Sequence, residues 1–96
     1  MQHARKKDLM HTPIVTTLQG VGAAVKETYQ FPKMLDILVA YRGQLFWAEI
    51  KNDARTAEKD LTPAERALID DFARVGVTIH VWCTPDQALR SIGAID

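Results

Sequence analysis

The chain has 96 residues, 47% hydrophobic and 25% charged, with twelve Lys/Arg balancing twelve Asp/Glu. That length suits one domain, residues 1–96, burying about 60–65% of its unfolded surface, and no run approaches the ~18 apolar residues of a membrane-spanning helix. The lone Cys83 excludes an intramolecular disulfide, and zero net charge does not advertise a nucleic-acid binder, although residues 1–59 hold nine Lys/Arg against six Asp/Glu and residues 60–96 three against six.

Residues 1–11 are polar and basic, with no apolar stretch that would make a signal peptide, so a cytoplasmic location is expected. They read as a flexible basic arm or a first helical turn. Lys6 and Lys7, with Arg5, are candidate phosphate contacts; a solvated terminus is the alternative. Thr12-Pro13 predicts an N-cap followed by proline at the first helical position, with Ile14, Leu18 and Val21 on one face and Gly20 and Gly22 ending the helix. Ala23 to Gln30 alternates weakly and predicts a strand near a sheet edge, interrupted by Phe31-Pro32-Lys33.

Met34 to Arg42 and Leu45 to Asn52 predict two strands joined by a tight turn at Gly43. Ile37, Val39 and Tyr41 share one face; Asp36, Leu38 and Ala40 share the other. Both faces are largely apolar, so the pair is expected to be central and covered on both sides. Asp53 to Asp60 is polar and without period. It reads as a mobile loop that either contacts substrate through Arg55 and Lys59 or is a plain surface connection. Thr62-Pro63-Ala64-Glu65 predicts a capping box, followed by a buried stripe of Ala64, Ala67, Leu68, Phe72 and Val75 and a stop at Gly76. Val77 to Cys83 predicts a strand. Thr84-Pro85-Asp86-Gln87 predicts a second capping box, with Ala88, Leu89 and Ile92 facing inward until Gly93. Strand-helix-strand at the end implies a right-handed crossover and a parallel pair; the hairpin is antiparallel. The expected fold is α/β, a mixed central sheet flanked by helices.

Charge inside the hairpin carries the chemistry. Asp36 sits in one apolar run, and Glu49 and Lys51, two apart, project from one face of the next. Placing such groups near a core is expensive. Two carboxylates on neighbouring strands suit Mg²⁺ or Mn²⁺, with the Ile50 backbone carbonyl as a third ligand. Lys51 beside them would hold or help deprotonate an attacking water and offset developing negative charge. The bland alternative is a half-exposed strand bearing an ion pair.

Leu35-Asp36-Ile37-Leu38-Val39, Tyr41-Arg42-Gly43, Ala48-Glu49-Ile50-Lys51, Leu61-Thr62-Pro63, Val77 to Val81 and Asp86-Gln87-Ala88-Leu89 together carry a resemblance. From Asp8 to Gly93 the chain resembles the PD-(D/E)xK nuclease superfamily, and within it the small phage-type members with a virus-type replication-repair nuclease (VRR-NUC) domain. The resemblance implies a restriction-endonuclease-like αβββαβ core. It implies a Mg²⁺- or Mn²⁺-dependent endonuclease, bacterial or phage-encoded, acting as a homodimer on branched DNA such as a Holliday junction or flap. Asp36 and Glu49 would bind metal and Lys51 would assist the water. DNA contacts would come from Lys6, Lys7, Arg42, Arg55 and Lys59; no small-molecule cofactor and no membrane are implied. Leu35 stands where relatives carry proline, Gln30-Phe31-Pro32-Lys33 replaces a glycine-rich loop, and Glu65 occupies a position where glutamine is common. Pro13 aligns with the helix-1 acid of many relatives, which leaves Asp8 as the nearest candidate acid.

Other residues invite less. His80 has no second His or Cys at metal spacing, Trp47 and Trp82 suit packing or an interface, Cys83 lacks an activating partner, and Ser91 lacks a nearby base. The runner-up function is a nuclease-fold module, catalytically weak or inactive, that binds nucleic acid or serves assembly. A protein-interaction domain that binds no DNA is third.

Overall fold

The computed structural model describes residues 8–31 and 34–96. Its elements are α1 (His11–Gly20), β1 (Ala24–Glu27), β2 (Ile37–Tyr41), β3 (Gln44–Ile50), α2 (Ala57–Asp60), α3 (Pro63–Arg74), β4 (Ile79–Trp82) and α4 (Pro85–Ile92). Among the described residues the sheet has four strands in the order β1-β2-β3-β4, with β1/β2 and β2/β3 antiparallel and β3/β4 parallel. This is a small α/β domain with a mixed sheet flanked by helices, as the hydrophobic pattern predicts.

The hairpin turns in two residues, Arg42 at φ 49° and Gly43 at φ 78°, the double positive φ that matches the twist of the flanking strands. Glycine accepts this freely; Arg42 adopts it with its guanidinium 5.0 Å from the Tyr41 ring centroid. Strand alternation then sorts the sheet into two faces. Ile37, Val39, Ala48, Ile50 and Trp82 pack with Ile14, Val15 and Leu18 of α1 and Ala88, Leu89 and Ile92 of α4 as the main core. Trp82 also donates from Nε1 to Ser91 Oγ at 3.0 Å, and His80 stacks on its ring, so the bland readings of those residues match their surroundings.

The opposite face is only partly covered. Trp47 meets Phe72 of α3 edge to face, but Leu38, Ala40 and Leu45 line a shallow cavity of about 200 Å³ with Ala24, Val25 and Lys26, and Leu45 is 70% exposed. The β2–β3 pair is central, as expected, yet its second face is covered only at one end. α3 lies toward β4, so it reaches Trp47 and leaves the β1 side open.

Several boundaries differ from the sequence expectation for local reasons. α1 begins at His11, not after Thr12, because the His11 N–H donates to the Asp8 carbonyl and the Ile14 N–H to the Met10 carbonyl; Pro13 falls in the first turn, where no N–H is needed. His11 is buried, and the Met10 N–H donates to Asn52 Oδ1 at 3.2 Å, so Asp8–His11 are docked and are not part of a free arm. Val21 and Val75 keep helical period but lie past the helix ends and are exposed. Asp53 to Asp60 is not wholly loop: it holds the one-turn α2, tied by Thr56 Oγ1 to Asp60 and by Arg66 to Glu58. The second helix start is half a capping box: Thr84 Oγ1 accepts from the Gln87 N–H, while Gln87 Oε1 accepts from the Cys83 N–H. Lys6, Lys7 and the Pro32-Lys33 interruption lie outside the described residues. Among the described residues no helix is long and apolar enough to cross a membrane.

Candidate functional site

The covered end of the second face is charged. β2 pairs with β3 down to Ile37 opposite Ala48; there the register ends, and the Asp36 side chain reaches Glu49 beyond it. Asp36 sits at a bend. Its N–H donates to the Ala48 carbonyl at 3.2 Å, one residue out of the ladder's register, and its Oδ2 accepts the Ile50 N–H at 2.7 Å. A carboxylate thus replaces the carbonyl that a continuing β2 would offer Ile50. Since a strand residue's N–H and C=O face the same neighbour, the Ile50 carbonyl turns toward Asp36 as well. Thr28 anchors the approach: its N–H donates to the Asp36 carbonyl at 2.7 Å and its hydroxyl to the Leu35 carbonyl.

Glu49 is fully buried, and neither carboxylate oxygen has a hydrogen-bond donor. Burial, then the neighbouring Asp36 and Glu65 carboxyls, push its pKa up to about 11. Carboxylates cannot hydrogen-bond one another without a proton; a proton on Glu49 turns the contact into an O–H···O bond. The raised pKa favours the neutral, protonated form of Glu49, and a bound cation would favour the ionised one.

Lys51 follows on the same face. Its N–H donates to the Trp82 carbonyl at 3.0 Å, which fixes the end of β3 against β4, and its Nζ lies 3.1 Å from Glu65 Oε1. Burial pulls the Lys51 ammonium down, but Glu65, Glu49 and Asp8 together outweigh it and raise its pKa. Glu65 is pushed up by burial but held down to about 2 by the Glu49 carboxyl, the Thr62 amide and Lys51. Asp8, just before α1, lies within electrostatic reach of Lys51, Asp36 and Glu65; burial first, then those carboxylates, raise its pKa against the pull of Lys51.

The structure therefore brings Asp36, Glu49, Lys51 and the Ile50 carbonyl to one place, with Asp8 beside them. It does not bring Arg42 there, since the hairpin tip is at the far end of β2, about 20 Å of strand away. Arg55 is exposed and paired with Asp53 at 2.9 Å, and Lys59 is exposed on α2. Glu65 is the residue that sequence reasoning missed as a member of the site. It does form the expected capping box, but Glu65, Leu68 and Phe72 lie three and four residues apart, a helical stripe facing the sheet, whereas Ala64, Ala67 and Val75 are exposed. That spacing was the available signal.

The Asp36 carboxylate, the buried Glu49 carboxyl and the Ile50 carbonyl are a donor set suited to a hard divalent cation. No three His, Cys, Asp or Glu side chains among the described residues are arranged to hold a metal by themselves, so such an ion would need the backbone carbonyl and water. Compared with family models, curated proteins and solved structures, the chain matches none.

Proposed function

We propose that this protein is a metal-dependent endodeoxyribonuclease of restriction-endonuclease-like αβββαβ architecture, acting on branched DNA as a homodimer. The observation that carries the reading is the fully buried Glu49, with both oxygens undonated, facing Asp36 across the strand pair. Crowding a buried carboxyl against two others costs stability; a site for a cation would give that cost a purpose. Asp36, Glu49 and the Ile50 carbonyl would hold Mg²⁺ or Mn²⁺, and Asp8 is the candidate helix-1 acid. When bound, the ion supplies positive charge to the phosphoryl oxygens and lowers the pKa of a water.

The chain's own groups do the rest. The Ile50 N–H fixes Asp36 Oδ2, which orients the carboxylate before any ligand arrives. Lys51, with its pKa raised, stays an ammonium; its role is to donate to the water or phosphate and offset charge, not to take a proton. A homodimer would present two such sites to two strands. The test is incubation with linear, flapped and four-way-junction DNA, with Mg²⁺ and with chelator. Cleavage of branched DNA only with Mg²⁺ is expected; intact DNA under every condition overturns the reading.

The absence of a three-side-chain metal group among the described residues favours a second reading, a nuclease-fold module that binds nucleic acid and cuts weakly or not at all. A salt-dependent gel shift without cleavage is its signature.

A further inference from the structure

We infer that Glu65 is a positioning residue that holds Lys51 over the Asp36–Glu49 pair, so that the start of α3 and the site share one carboxylate. This rests on the nuclease reading for its kinetic half. Glu65 Oε1 accepts from the Thr62 N–H at 2.8 Å and lies 3.1 Å from Lys51 Nζ, while its own N–H donates to Thr62 Oγ1 at 3.1 Å. The oxygen is thus fixed from the helix side by a reciprocal cap and offered to the ammonium on the sheet side. Both partners are shielded, the side chains of Lys51 and Glu65 being 12% and 7% exposed. A shielded pair of this kind is rigid where a surface pair is not. A free lysine has four flexible carbons and no preferred direction; this one has its acceptor built into a helix terminus. Glu65 Oε1 meets both the Thr62 amide and Lys51, and through that oxygen Glu65 acts on Lys51.

Glu65→Gln keeps an acceptor for the Thr62 N–H and removes the charge that holds Lys51. On flapped or four-way-junction DNA with Mg²⁺, its kcat is expected to fall about 10- to 100-fold, as for a displaced catalytic group, while KM stays within about twofold. Lys51→Met is expected to fall at least as far, and adding Glu65→Gln to it to cost nothing more. Thr84→Ala removes the N-cap bond of α4, which has no part in holding Glu65 or Lys51, and its kcat below the melting temperature is expected to match wild type. Independent losses in the double variant, or an equal loss in Thr84→Ala, overturn the inference. A second readout needs no cleavage: the ¹H–¹⁵N signal of the Lys51 ammonium in metal-free protein. It is expected in wild type and lost in Glu65→Gln; identical spectra overturn the inference. Wild type that cuts nothing refutes the nuclease reading, and the ammonium signal then decides the Glu65–Lys51 contact alone.

Discussion

The two faces of the β2–β3 hairpin are built from alternate residues of the same eighteen-residue stretch, Met34 to Lys51, and they obey opposite economies. On one face Ile37, Val39, Ala48 and Ile50 meet α1 and α4, and every contact gains by leaving water. On the other, Glu49 and Lys51 meet Glu65 beside Asp36, and burial disfavours the charged forms of Glu49, Lys51 and Glu65. A fold that wanted only stability would carry the first pattern on both sides. The proposed cation site would account for the contrast, the costly face being kept for what it could bind.

The sharpest way to break that contrast is to cut each face in turn. Ile50→Ala, on the apolar face, should lose about 2–5 kcal/mol of stability in denaturant unfolding; a loss under about 1 kcal/mol would mean that the core lies elsewhere. Glu49→Gln, one residue away, should do the reverse and stabilise the metal-free protein at pH 8 by about 1–3 kcal/mol. The sign follows from linkage. The folded pKa near 11 lies above the ordinary 4.5, so between those values the folded chain carries a proton that the unfolded chain has lost. That contribution is complete below pH 4.5 and fades as pH rises. Glu65 works the other way: its stabilisation is complete above pH 4.5 and is lost as pH falls toward 2. Unfolding of wild type and Glu49→Gln across pH 5 to 9 checks this; parallel curves contradict it.

A smaller effect separates the two duties of Asp36. Because its Oδ2 takes the Ile50 N–H, Asp36→Ala orphans a buried donor and should cost about 1–3 kcal/mol as well as activity. Asp36→Asn keeps an acceptor and should lose activity with stability near wild type. Equal melting temperatures for the two variants would show that the Asp36–Ile50 bond matters little.

Much of this contrast is visible in the sequence, because strand alternation is a period of two and Asp36, Glu49 and Lys51 interrupt it. Gly43 announces the turn, though nothing announces that Arg42 shares its positive φ. What stays hidden has a common physical cause: a residue with one sufficient explanation conceals a second. Glu65 completes a capping box, and nothing in that motif says the same oxygen reaches Lys51 from another strand. Thr12-Pro13 looks like a helix start, but the Asp8 and Met10 carbonyls begin the helix earlier, a backbone choice the side chains do not encode. Leu38, Ala40 and Leu45 look buried by pattern, and only the position of α3 leaves them open.

The central claim is that Glu49 is a buried acid waiting for a cation. Calorimetric titration of metal-free protein with Mn²⁺ at neutral pH, repeated in buffers of different ionisation heat, tests it most directly. Saturable binding with release of about one proton per ion, abolished in Glu49→Gln, is the expected result. Wild-type protein that takes up no Mn²⁺, or binds it equally well with glutamine at position 49, contradicts the account.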